Sequence, residues 1–181
     1  MINIYAGKTA AKIINEQGLK PELFSSFLGA SGGPKWFTLF GLDKYIFGEF
    51  FKNHSQPLNL IGSSAGAFRS ACFAQNDPVA AIERLATSYS QTRYSSNKPT
   101  PAEITLKARA LLEDVFGNNG VAEIINNPVF KAHFIVAKSN GFIASENKLL
   151  QLMGLSKSYM LNRVNRKYLG SQYERFIFGP A

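Results

Sequence analysis

The sequence predicts an α/β fold in which a mainly parallel sheet is covered by helices. Three observations predict it. Short apolar runs alternate with longer helical segments, the connections between them are short, and the composition is that of a globular chain. The 181 residues are 45% apolar and 18% charged, which suits a single domain, 1–181, with a sizeable core.

Taken in order, residues 8–18 read as a short helix closed by Gly18, with Pro21 just beyond. Residues 24–28 form a brief apolar run that leads into the cluster Gly29-Ala30-Ser31-Gly32-Gly33, a buried strand and tight loop. Pro34 suits the first position of a helix. That helix, about 35–52, is apolar nearly all the way round, which predicts burial on most sides. Residues 58–61 are a second strand, and a helix from Gly62 to about Gln75 follows it. Asp77-Pro78 caps and opens a further helix. Thr100-Pro101-Ala102-Glu103 is a capping box for one ending at Gly117. Residues 130–137 are a third strand and 176–178 a short fourth. No repeat or linker interrupts the series. The last apolar residues read as a strand cut off abruptly, so the expectation is a sheet incomplete at its C-terminal side.

Composition excludes several classes. No run reaches the roughly 18 apolar residues that a spanning helix needs. The start of the chain lacks a basic stretch followed by an apolar block, so no secretory signal is expected. One cysteine, Cys72, permits no internal disulfide. The expected location is cytoplasmic. Net charge is +8, and between Lys131 and Arg175 eight basic residues face only Glu146 and Glu174. A solvated basic face, with at most a weak preference for anionic lipid, is the reading here, since no nucleic-acid motif accompanies it. Two histidines and one cysteine without ligand spacing imply no metal site, and no cofactor is expected.

The chemistry is concentrated in two glycine-serine segments. Gly62-Ser63-Ser64-Ala65-Gly66 matches G-x-S-x-G, the nucleophile elbow. A serine on a sharp strand-to-helix turn needs small residues two before and two after it, hence Gly62 and Gly66. Ala67, Ala71 and Ala74 on the following helix permit close approach to a sheet. Gly29-Ala30-Ser31-Gly32-Gly33 matches the same pattern, but two glycines and a proline follow its serine. That gives unencumbered backbone N–H groups at a helix start, suited to an anion. Ser64 is therefore assigned as nucleophile. Ser31, Gly32, Gly33 and the Ala65 N–H are assigned as the oxyanion hole, and an exchange of roles between the serines stays open.

These two motifs together, from Leu28 to Trp36 and from Ile61 to Arg69, resemble a bacterial branch of the patatin-like phospholipases, and more faintly the likeness runs on through Asp77-Pro78. The resemblance implies a three-layer α/β/α fold, a Ser–Asp dyad and a lipid ester or phospholipid substrate met by transient contact with a membrane surface. The family's Gly-rich loop with a nearby basic residue maps onto Ser31, Gly32, Gly33 and Lys35; Ser31 stands where the family has glycine. The family's aspartate lies in a D-G-G or D-G-A motif. Here Asp43, Asp77 and Asp114 are followed by Lys44, Pro78 and Val115. Since a serine without a base is a poor nucleophile, three readings remain. The chain is a piece of a longer enzyme, it recruits His133, or it is a non-catalytic relic; the first is preferred.

Other residues carry blander expectations. His133 reads as an ordinary strand histidine, His54 as a residue after a helix end, and Cys72 as a core residue. Lys35 and Arg69 are candidate substrate-phosphate contacts or merely solvated positions. The aromatic stripe of 36–51 reads as core that can share a wall with a lipid site. Two rival functions stand beside the hydrolase: a phosphate- or nucleotide-binding module, though neither G-x-x-x-x-G-K-[ST] nor G-x-G-x-x-G is matched, and an inactive acyl-binding fragment.

Overall fold

The computed structural model describes residues 3–180. Its centre is a four-stranded sheet in the order β1 (Ser26–Gly29), β2 (Leu58–Gly62), β3 (Phe130–Ser139), β4 (Tyr173–Phe178). The first three strands are parallel and β4 is antiparallel to β3. The expected α/β class with a mainly parallel sheet is what forms. The fourth strand is longer than the sequence suggested.

Alternation along β2 sets which face is core. Leu58, Leu60 and Gly62 are buried, and Leu60 pairs with Phe27 on one side and the buried Ala132 on the other. Against this face lies α3 (Ala65–Phe73); α4 (Pro78–Gln91) packs on α3 and α5 (Pro101–Phe116) on α4, and Phe73, Ile82, Leu85 and Val115 join one core. Each such side chain contributes roughly 1.5–3 kcal/mol by leaving water. The alternate residues Asn59, Ile61, His133 and Ile135 are only partly buried, while Leu28 is 75% and Ile177 64% exposed. The face opposite α3 is therefore less covered than the face that carries the core.

The helix expected at 35–52 is one continuous coil in three parts: tight 3-10 turns over Gly33–Leu39, α2 (Phe40–Tyr45), and a wide turn over Ile46–Phe50 in which Phe51 N–H reaches the Ile46 carbonyl at 2.8 Å. It is buried along a stripe, not all round. Trp36, Asp43, Phe47 and Phe51 face inward at spacings of seven, four and four, whereas Tyr45 is exposed. Gly48 is needed there because a Cβ would sit 2.7 Å from the Val79 side chain.

Two caps form as their residues require. Asp77 accepts from the Ala80 N–H at 2.9 Å and Thr100 from the Glu103 N–H at 3.2 Å. The Glu103 carboxylate turns away from the helix to the Ser95 N–H and hydroxyl, which hold it below its ordinary pKa, so only half of the capping box closes. The sequence reading did not separate the remaining helices: α6 (Gly120–Asn126) and α7 (Lys148–Val164), the latter capped by Asn147. At the N-terminal end, α1 (Lys8–Gln17) buries no residue. No described helix is long and apolar enough to cross a membrane.

Candidate active site

Gly29 and Gly62 are register partners at the carboxyl ends of β1 and β2, and both segments with the glycine-serine pattern leave the sheet from there. This is the end of a parallel sheet where ligands bind in open α/β folds. Helix α3 crosses over it very closely. A Cβ on Gly66 would run into the Gly29 carbonyl, and one on Gly62 into the Gly66 backbone. The two glycines of the elbow are thus fixed by backbone-to-backbone contact, and Gly29 is a third member that the motif alone did not reveal.

Ser64 is the N-cap of α3, with φ 51° and ψ −128°. It is the one non-glycine residue with positive φ among those described. Such a conformation costs on the order of 1–3 kcal/mol and persists only where its surroundings enforce it. Here β2 before it and the Gly62–Gly66 contact after it do so. The side chain is solvent-exposed. Ser31, the alternative nucleophile, has no such backbone geometry. Its Oγ donates to the Ser63 carbonyl at 3.1 Å and lies 2.6 Å from the Ser63 hydroxyl, which can donate back. The position where the family pattern has glycine is therefore a tie between the glycine loop and the elbow.

The backbone donors assigned from the sequence are unspent. Among the described residues, the N–H groups of Ser31, Gly32, Gly33 and Ala65 reach no protein acceptor, although their neighbours do: Lys35 to Gly32, Gly66 to Ser63 and Ala67 to Ser64. Free N–H groups at two helix starts are what an anion requires. Gly33, Ser64 and Ala65 line one cavity of about 140 Å³, closed by Trp36, Phe68, Leu85 and Tyr89. Trp36, expected as core that could share a wall with the site, belongs to both.

Arg69 is not a substrate contact. It is 3% exposed and donates twice to Asp43, itself 1% exposed: Nε to Oδ2 at 2.7 Å and Nη2 to Oδ1 at 2.5 Å. Its guanidinium also lies over the Phe73 ring. Burial pushes the Asp43 carboxyl above its ordinary pKa, and Arg69 pulls against that shift. The pair clamps α2 to α3 and leaves no charge to offer a ligand. Lys35 is exposed in the first turn after the glycine loop and does not line the cavity. His133 is not poised as a base either. Its Nε2 meets Asn59 Oδ1 at 3.0 Å, on the sheet face away from α3. No described carboxylate or imidazole is hydrogen-bonded to Ser64.

The sequence reading missed Ser63, Phe68 and Tyr89. Phe68 was within reach, since a residue four after Ser64 lies over it on the same helix face. Tyr89 comes from another helix and leaves no local signal. Comparison of the chain with protein-family models, with curated proteins and with solved structures gave no match.

Proposed function

We propose that this chain carries the nucleophile and oxyanion hole of a patatin-like serine acyl hydrolase acting on lipid esters, phospholipids among them. The observation that carries the reading is the enforced positive φ of Ser64 beside the unspent N–H groups of residues 31–33 and 65. Ser64 Oγ attacks the ester carbonyl carbon. The carbonyl oxygen gains charge and is met by the amides of Gly33 and Ala65, with those of Ser31 and Gly32 alongside. The proton on Ser64 must go to a base, and the described residues supply none. On this reading the base is the aspartate implied by the resemblance, contributed from outside these residues. The family's three-layer arrangement then places a further helical layer over the face bearing Leu28, Ile61 and Ile177. The enzyme works in the cytoplasm, with transient contact at a lipid surface.

An oxyanion hole and an oriented serine retain part of their catalytic power without a base. The 181-residue chain is therefore expected to cleave p-nitrophenyl butyrate slowly but above the rate of imidazole buffer alone, with an excess that grows as imidazole is added to accept the proton and that is largely lost in Ser64→Ala. An excess over buffer that does not grow with imidazole, or that survives Ser64→Ala undiminished, would overturn the proposal. The missing base favours one alternative, an acyl-binding chain without turnover. Binding of ester with no cleavage at any imidazole concentration would establish it.

A further inference from the structure

A second cavity lies across the aromatic wall of the Ser64 cavity. Phe68 and Tyr89 also line this larger cavity of about 320 Å³ between α4 and α5, and Pro34 there adjoins Gly33 of the first. The shared wall is held from both sides. Phe68 stands one turn beyond Ser64 on α3. Tyr89 packs edge-on against Phe37 at 5.6 Å and Trp36 at 6.2 Å. Beyond it the lining is largely apolar, formed by Ile104, Ala108 and Leu111 of α5, with Lys107, Thr92 and the Tyr94 hydroxyl as the polar exceptions. Ile104, which lines this chamber, is half exposed.

We infer that the two chambers form one track for an unbranched acyl chain, passing from Ser64 between Phe68 and Tyr89 into the trough against α5. This deepens the hydrolase reading and rests on it for the position of the ester. The occupant follows from shape and chemistry. A small chamber joined to a longer apolar one across two rings suits a thin flexible hydrocarbon, and continuity with the Ser64 cavity puts the chain's carboxyl end at the free amides. Phe68 and Tyr89 are then specificity-determining residues, and the length of the α5 trough sets the preferred chain.

The single tryptophan, Trp36, lines the first chamber and reports on it directly. Straight-chain fatty acids from butanoate to palmitate, titrated into the 181-residue chain, should shift Trp36 fluorescence. Affinity should rise up to about fourfold per added methylene and then level off once the trough is full. Ala108→Phe fills the trough without adding a second tryptophan and should make affinity level off at the shorter acids. Ile104→Asp, at a half-exposed position that tolerates charge, should weaken the longer acids at least tenfold and spare butanoate. A flat length series in the wild type, or an unchanged series in a folded variant, overturns the track. Ser64→Ala separates the two readings. It should remove most of the cleavage in excess of imidazole buffer and keep the length series. Length dependence without cleavage in the wild type sinks the hydrolase and leaves the track, whereas cleavage with a flat series does the reverse.

Discussion

Helices α3 and α7 are both polar-apolar mixtures, yet they meet their surroundings in opposite ways. Of the nine residues of α3, seven are buried, and its glycine and alanine side lies directly on β1 and β2. Of the seventeen residues of α7, only Gly154 and Ser158 are buried; Leu149 is 68% and Val164 78% exposed. The first helix is held by tertiary contacts that permit almost no change. The second rests on the turns 141–144 and 166–171, where Gly154 meets Ile143 and Ser158 bonds Gln172, and on its own cap, while most of its surface faces solvent. Stability and site geometry therefore reside around α3, and substitutions should divide accordingly.

The sharpest break of that contrast is Gly66→Ala. Its methyl would overlap a backbone carbonyl that cannot move without dislodging β1, so a loss of about 4 kcal/mol or outright failure to fold is expected by urea denaturation. Next comes the buried ion pair. Asp43→Ala leaves the Arg69 charge unpaired and should cost about 3–5 kcal/mol, while Asp43→Leu with Arg69→Met should recover most of it. Additive effects of the two sites in a double-mutant cycle would show that the pair does not clamp α2 to α3.

A more gradual effect is set by pH. Burial pushes the Cys72 thiol up to about 12 from 9.0. A folded-state pKa raised above the unfolded one gives a contribution that is complete below pH 9 and is lost as pH climbs towards 12, because only the unfolded chain releases the proton. The slope is at most about 1.4 kcal/mol per pH unit. The difference in unfolding free energy between wild type and Cys72→Ala should shrink over that range, and a constant difference would contradict it. Smallest of all, Leu152→Ser and Met160→Ser on the exposed side of α7 should each change stability by less than about 0.5 kcal/mol. A loss of several kcal/mol from either would mean that α7 is packed as tightly as α3.

The same division explains what could be read beforehand. The elbow was legible because its constraint is local: a serine forced to positive φ needs small residues at fixed offsets, and Gly62 and Gly66 supply them. Asp77 and Thr100 were legible as caps for the same reason. Arg69 was misread because its partner lies 26 residues earlier on another helix, and nothing near Arg69 announces a buried carboxylate. Gly29 was grouped with the loop, although its role is to let Gly66 pass, a contact that only the assembled sheet creates. The helix over 148–164 escaped notice because its apolar residues are spread round the axis, without the one-sided stripe that packing elsewhere imposes. The antiparallel β4 was seen only in part, since parallel alternation gives no cue for a reversal.

The central claim is that Ser64, and neither Ser31 nor Ser63, is the nucleophile facing the free amides. Fluorophosphonate treatment of the chain in imidazole buffer, followed by peptide mapping, tests it most directly. A single adduct on Ser64, absent after Ser64→Ala, is the predicted result. An adduct on Ser31 or Ser63, or an unmodified protein, would contradict it.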